Sequence, residues 1–199
     1  MVDFKLFNKW DTSSIVVVDQ GLRKYVSLVP ILVPRSFGRN ANARFGKSKV
    51  HIVERLMNKL MVPGHKGKKH FKTSGHATGK GLNVYSAVKK SFEIIEQQTK
   101  QNPVLVFVKA LENAAPREEI TTIEYGGARY PQSVDCAPQR RVDIALRQFA
   151  QGSYAKSFGK KNSLAQALAD ELIKAFKSDQ GSQAIAKKLE VERQAASSR

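Results

Sequence analysis

The sequence holds a single cysteine, Cys136, and a single tryptophan, Trp10. One cysteine excludes an intramolecular disulfide framework and leaves no thiolate cluster for zinc. Long hydrophobic runs are missing as well: "IVVV" and "VLVFV" are the longest, far short of the ~20 residues of a membrane helix. The opening "MVDFKLFNKWDTSSIVVVDQ" has neither the basic start nor the apolar stretch of a signal peptide, so a cytosolic chain is expected. Acidic residues are scarce in one region only. Between Arg35 and Lys80 a single acid, Glu54, stands among twelve lysines and arginines, whereas between Pro103 and Ala150 there are six of each sign. Within a net charge of +17 over 199 residues, that asymmetry marks a binding surface rather than general solubilisation. Polyanions are its natural partner, because each neutralised phosphate releases counterions.

Catalytic patterns are also missing. "SGHATGKG" offers Gly79-Lys80, but Gly81 stands where a phosphate-binding P-loop needs a hydroxyl and Ser74 where it needs its first glycine, with no buried strand before it. The four histidines, His51, His65, His70 and His76, match no zinc spacing, and their lysine neighbours repel a cation. No metal site is expected. Glu118 and Glu119 point to opposite faces of an extended chain and cannot act as a carboxylate pair. Cys136 belongs to no nucleophile motif, so neither an enzyme nor a cofactor is expected. A membrane-surface protein would carry a helix with a broad apolar face, yet here positive charge is densest in loops.

What is present reads as a mainly α protein: a six-helix domain with a protruding two-stranded antiparallel β-hairpin and an extended basic N-terminal arm. The arm is assigned to residues 1–46 and the helical domain to 47–199, with the hairpin at 118–137. Pro30 and Pro34 bar a regular central strand in "YVSLVPILVP". "PRSFGRNANARFGKSK" alternates Arg or Lys with Phe, Gly and Asn, a composition suited to lying along a phosphate backbone while Phe37 and Phe45 pack or stack. Helical spacing of Val50, Val53, Leu56, Met57, Leu60 and Met61 predicts a first helix from Lys47, ended by Pro63-Gly64. "GHKGKKHFKTSGHATGKGLN" has no apolar period and reads as a functional loop, with Lys66, Lys68 and Lys69 as candidate phosphate contacts.

Further helices are predicted from Tyr85 to about Gln98, from Pro103 to Pro116, from Pro138, from Ser163 to Phe176 and from about Ser182. In the helix after Pro138, Val142, Ala145, Leu146 and Phe149 form the apolar stripe, and Arg140, Arg147 and Tyr154 fall opposite it. Such a helix fits between a protein core and RNA. In "IEYGGARYPQ" the Gly126-Gly127 loop fixes the hairpin register, because a type I′ turn needs positive φ at both positions. Tyr125 then opposes Ala128, Glu124 opposes Arg129, Ile123 opposes Tyr130 and Thr122 opposes Pro131. The proline spoils any third strand, so the ribbon should stand alone. Its tip, Tyr125, Gly126, Gly127, Arg129 and Tyr130, has the character of a probe.

Four segments together resemble a known family: "VPRSFGRNANARFGKSKVHIVERLMNKLMVPG", "ALENAAPREEITTIEYGGARYPQSVDCAPQRRVDIALR", "NSLAQALADELIKAF" and "AIAKKLEVERQAASSR". The chain resembles small-subunit ribosomal protein seven from about Val16 to Arg199; the "VPRSFGR" arm, the extended loop after the first helix and the short "SSR" ending look like the archaeal and eukaryotic branch, and the length is closer to archaeal. The resemblance implies a structural protein that binds the 3′ major domain of small-subunit rRNA and nucleates assembly of the head. It also implies a place on the ribosome in the cytoplasm, beside the E site near the mRNA exit channel, with the hairpin toward E-site tRNA and with head and platform proteins as neighbours. By the same resemblance Arg35, Arg39, Arg44, Lys47, Lys49, Arg140, Arg141 and Arg147 contact rRNA, and the hairpin tip faces tRNA. One departure is the acidic first strand, with Glu118, Glu119 and Glu124, which narrows the nucleic-acid contact of the ribbon to its tip. The alternative is a free RNA-binding regulator acting on messenger RNA.

Overall fold

The structure is a computed structural model that describes residues 4–63, 65–66, 71–72 and 78–199. Among these the chain is mainly helical, and eight helices succeed one another. Two are single turns, α1 (Gln20–Arg23) and α2 (Gly46–Lys49). The six longer ones are α3 (Ile52–Leu60), α4 (Gly81–Thr99), α5 (Pro103–Ala114), α6 (Pro138–Ser157), α7 (Leu164–Phe176) and α8 (Gln183–Ala196). Their starts follow local chemistry. Pro103 opens α5 behind Asn102, whose side chain accepts from the Val104 N–H, and Pro138 opens α6; both prolines use a position where the missing N–H costs nothing. Ser163 and Gln166 form a reciprocal capping box at α7.

The core lies between α3, α4, α5, α6 and α7. Leu56, Phe92, Phe107, Leu146, Phe149 and Leu168 are fully buried there. Helix α7 is central, packing on α4, α5 and α6 as well as α8, and its alanines 165, 167, 169 and 175 are buried in those contacts. Its one buried acid, Glu171, bonds to Lys156, to Ser182 Oγ (2.7 Å) and to the Ala184 N–H (3.2 Å). A carboxylate from α7 thereby satisfies one of the orphan N–H donors at the start of α8.

The stretch assigned to the N-terminal arm has little regular structure, as expected, but it does not hang free. Leu6, Phe7, Trp10, Ile15, Val17, Leu22 and Val26 all belong to the core cluster. Phe7 and Trp10 meet Tyr85 and Phe92 edge to face, with ring centroids 4.9 Å (Phe7–Tyr85) and 5.7 Å (Trp10–Phe92) apart. Trp10 Nε1 donates to Glu96 at 3.1 Å. Aromatic pairs of this kind anchor an irregular segment without any periodic pattern.

Two antiparallel strand pairs complete the described residues. The short pair β1 (His65–Lys66) and β2 (Phe71–Lys72) matches His65 with Lys72; it lies within the stretch the sequence marks as loop. The hairpin β3 (Glu118–Tyr125) and β4 (Ala128–Asp135) carries the expected register, with Tyr125 opposite Ala128, Glu124 opposite Arg129, Ile123 opposite Tyr130 and Thr122 opposite Pro131. Gly126 and Gly127 have φ of 57° and 82°, which gives the required left-handed turn. Among the described residues the pair gains no third strand. Its base packs on α8 while residues 121–132 are exposed on both strands.

Candidate nucleic-acid interface

The expected first helix is interrupted, and the interruption builds the site. Helix α2 ends at Lys49, Val50 is extended, and His51 starts α3 by accepting the Val53 N–H on Nδ1 at 3.2 Å. The break turns residues 35–49 into a loop folded over the start of α3. Phe37 and Phe45 both adopt left-handed backbone, with φ of 50° and 56°, a conformation that non-glycine residues hold only when their surroundings enforce it. Their rings are 86% and 65% exposed. Arg35 lies over the Phe37 ring at 5.8 Å and Arg44 over the Phe45 ring at 5.3 Å. Each pair presents a guanidinium and an aromatic face together, a combination that suits both phosphates and bases.

Two tethers hold this loop down. Glu54, the lone acid of the basic stretch, is buried and accepts from both the Ser36 N–H (2.8 Å) and Ser36 Oγ (2.7 Å). At the other end Gly46 passes so close to Asn40 that a Cβ there would sit 2.0 Å from the Asn40 carbonyl oxygen. Between the tethers runs a cleft of about 530 Å³ lined by Arg35, Phe37, Asn40, Lys47 and Asn58.

Beside it, cations from two elements, α2 and α3, converge on Asp143 of α6. Lys47 Nζ lies 2.9 Å from one carboxylate oxygen and Arg55 Nη2 3.2 Å from the other. Burial works to raise the Asp143 pKa, but the Lys47 hydrogen bond and the charges of Arg55 and Lys47 outweigh it and hold the carboxyl below its usual range. Arg55 is buried and also donates to the Tyr25 carbonyl at 2.9 Å, so its role is to fasten α3 to the segment just after α1 and to α6. Lys59 is held below the ordinary lysine range by burial; Asp143 opposes this, and the neighbouring cations Lys47, Arg147 and Arg55 add to it. One carboxylate among four cations leaves this end of α3 and α6 electropositive.

The two arginines of "QRR" part company. Arg141 is buried, donating through Nε to the Pro116 carbonyl at 3.0 Å and through Nη2 to Asp19 at 2.7 Å. It is a strut between the N-terminal segment and α6, with only a small part of its side chain exposed for the rRNA contact that the resemblance implies. The signal was present in the spacing: Arg141 lies four residues before Ala145 and eight before Phe149, on the apolar stripe itself. Arg140 is exposed and pairs with both oxygens of Glu119 at 2.5 and 2.7 Å. Arg147 is exposed and makes no ion pair among the described residues.

The hairpin's glutamates are each matched by an arginine. Glu118 pairs with Arg199 and also accepts from Ser133 Oγ at 3.4 Å; Glu119 pairs with Arg140; Glu124 pairs with Arg129 at 3.4 Å. Hydrogen bonding to Arg199 draws the Glu118 pKa down. Ser133 N donates to the Ser198 carbonyl at 3.3 Å, so the residues after α8 lace the hairpin base on both strands. At the tip, Tyr125 and Tyr130 are 81% and 59% exposed.

The family model for ribosomal protein S7p/S5e matches residues 23–199. The chain belongs to that family. It is 55% identical over 195 residues, covering 98% of both chains, to small ribosomal subunit protein uS7 of Nanoarchaeum equitans. It is 48% identical to the protein of the same name from Methanosphaera stadtmanae, covering 98% of this chain and 99% of that one. For Archaeoglobus fulgidus the identity is 47%, over 98% and 94% respectively. The archaeal character expected from the sequence is thus supported, and the family is one of ribosomal structural proteins rather than enzymes.

For a ribosomal protein of this family, the sequence-marked residues divide by placement. Arg35, Arg39, Arg44, Lys47 and Lys49 gather on the exposed loop over α3, with Arg147 on the α6 face that carries Asp143. Lys59 was not singled out from the sequence, although it stands four residues after Arg55 on the same helix face. Lys66 is described only in its backbone, and Lys68 and Lys69 lie outside the described residues. So do His70 and His76. Cys136 is buried, and burial together with the Glu119 charge pushes its thiol up to about 11, so it stays protonated at neutral pH. Among the described residues no three of His, Cys, Asp and Glu gather as metal ligands, and no helix is long and apolar enough to cross a membrane.

Proposed function

We propose that the chain is a structural constituent of the small ribosomal subunit that binds the 3′ major domain of its rRNA, nucleates assembly of the head and, through the hairpin tip, faces E-site tRNA near the mRNA exit channel. It works ribosome-bound in the cytoplasm beside other head and platform proteins. The observation that carries the reading is the electropositive loop of residues 35–49 laid against α3 and α6, whose nearby acids, Glu54 and Asp143, are turned inward onto Ser36 and onto Lys47 and Arg55. Exposed arginines and lysines on a pinned loop meet a folded RNA by charge and shape, since A-form major grooves exclude side chains. Arg35, Arg39, Arg44, Lys47, Lys49, Arg147 and the half-buried Lys59 make the phosphate-facing set; Arg140 joins it only with the part of its guanidinium that Glu119 leaves open. Arg141 acts inside the fold.

The test measures binding to a transcript of the 3′ major domain across a salt series. Affinity should fall steeply with salt, and Arg147→Glu should weaken binding at unchanged helix content and flatten the salt slope by about one unit or more. A nearly flat wild-type response rejects the reading. In the same assay, a chain shortened between Thr122 and Gln132 should keep its rRNA affinity and alter tRNA retention in the E site of reconstituted subunits. Loss of rRNA affinity instead makes the hairpin an anchor.

A further inference from the structure

A second recess opens at the other end of α6. It has a volume of about 610 Å³ and is walled by Asn83, Val84 and Ala87 of α4, Tyr154 and Ser157 of α6, Phe158, and Gly159, Asn162 and Leu164 beyond. That size falls within the about 300–1,000 Å³ of pockets that hold small organic groups. Tyr154 and Phe158 form one aromatic wall, ring centroids 5.3 Å apart and inclined at 35°, and Phe158 is 58% exposed. Among the described residues no carboxylate lines the recess. Lys80, Lys160 and Lys161, all exposed, stand next to it in the chain and make no ion pair among the described residues.

The recess begins close to the basic loop. The Arg35 guanidinium lies against Gly81, where a Cβ would come within 1.8 Å of Nη2, and Gly81 starts the turn of α4 that carries Asn83 and Val84 into the wall. A strand of RNA leaving Arg35 therefore meets an aromatic wall, two side-chain amides and free lysines in turn.

We propose that this recess receives a single unstacked nucleobase of RNA, stacked on the Tyr154–Phe158 wall with its edge toward the Asn83 and Asn162 amides and its phosphates toward Lys160 and Lys161. It deepens the rRNA-binding reading and rests on it. Aromatic rings bind a base through its π-face, amides supply both donors and acceptors to its edge, and lysines neutralise the flanking phosphates. A protein side chain docking there would gain from the apolar wall but would leave three lysines that pair with no acid among the described residues.

The experiment titrates the full chain with the 3′ major domain transcript. Phe158→Ala should bind roughly five- to a hundredfold more weakly, the range for losing one base–aromatic stack, with the salt slope unchanged because no phosphate contact is removed. Phe158→Trp should restore affinity, and its fluorescence should be quenched on RNA binding; Trp10, buried at 4% exposure, gives a constant background. Phe158→Leu keeps apolar bulk and should still bind poorly. The double change Lys160→Ala and Lys161→Ala should instead flatten the salt slope by about two units. Wild-type affinity in Phe158→Ala, or full affinity in Phe158→Leu, overturns the proposal while leaving rRNA binding itself intact. Normal binding to naked RNA with impaired incorporation into subunits would assign the recess to a protein neighbour. Fluorescence of Phe158→Trp that ignores RNA but changes on deleting residues 64–77 would assign it to that segment. A wild-type chain that does not bind the transcript rejects the parent reading, a separately visible result.

Discussion

The loop over α3 and the hairpin both carry arginines beside glutamates, yet they treat them oppositely. Beneath the loop, the one acid, Glu54 of α3, is buried and bonded to the neutral Ser36, so it cancels no surface cation, and the loop arginines keep their fields. On the hairpin, Glu118, Glu119 and Glu124 each meet an arginine at close range, so the ribbon is nearly neutral along its length. Net charge already separates the two regions, five cations and no acid on residues 35–49 against four acids and one cation on residues 118–135, and the partner of each acid widens the difference. A carboxylate that serves the backbone leaves a basic surface basic, whereas one that meets a guanidinium sets geometry and removes charge. The loop is thereby built for phosphates and the hairpin for reach, with two exposed tyrosines at its end.

The comparison can be broken most forcefully by acid. His51 caps α3 under the loop, and burial alone depresses its pKa to about 4. Between roughly pH 6.5 and 4 the unfolded chain binds a proton at this imidazole that the folded chain does not. Stability should therefore fall as pH falls through that window, by up to about 3 kcal/mol for this one group. Denaturant midpoints measured between pH 7 and 4.5 check the slope. His51→Asn keeps a cap without a titrating ring and should remove most of it. Amide exchange should show α3 and the loop losing protection, with the hairpin base following only on global unfolding. An unchanged slope in His51→Asn would place the titrating group elsewhere.

Next in size is a steric break of the loop. Gly46→Ala sets a methyl 2.0 Å from the Asn40 carbonyl oxygen, and both parts are backbone, so the turn has to open. Forcing atoms into such a space costs about 1–3 kcal/mol. The expected result is a lowered Tm together with weaker rRNA binding, because Arg39 and Arg44 lie in or next to the displaced segment. Hairpin register, read from cross-strand contacts in solution, should not change. A variant that binds RNA as well as the wild type would show that the loop's pinned shape is dispensable.

Much of this division was legible in the chain. Gly126-Gly127 dictated the hairpin register pair by pair, because only one turn type accepts two left-handed residues in succession. Pro103, Pro138 and Ser163 marked helix starts through single local interactions. What stayed hidden was long-range. The apolar spacing from Val50 to Met61 continues through the break at Val50–His51, and only the Nδ1 cap reveals the new start. Leu6, Phe7 and Trp10 have no period to announce that they pack on Tyr85 and Phe92. The identity of "RR" conceals that Arg141 turns to Asp19 and Arg140 to Glu119, since those partners lie 122 and 21 residues away. Sequence reading located the basic region well because composition is local. It could not say which charges were free, because that depends on contacts between distant segments.

The finest test separates those adjacent arginines. Arg140 pairs in bidentate fashion with Glu119, but its side chain is 57% exposed, so water and salt screen the pair and its contribution to stability is at most about 1 kcal/mol. Glu119→Gln should therefore lower Tm only slightly and raise amide exchange at the hairpin base. If Arg140 braces the hairpin and also touches phosphate, releasing it should leave rRNA affinity equal or slightly higher, while Arg140→Gln should lower affinity and flatten the salt slope by about one unit. If it serves as a brace alone, the two variants should behave alike and neither should move the slope. Arg147→Gln, which releases no ion pair, supplies the reference for a pure surface contact. A slope change in Arg147→Gln but not in Arg140→Gln would confine the phosphate face of α6 to the end near Asp143, and would make the first turn of that helix part of the hairpin's foundation.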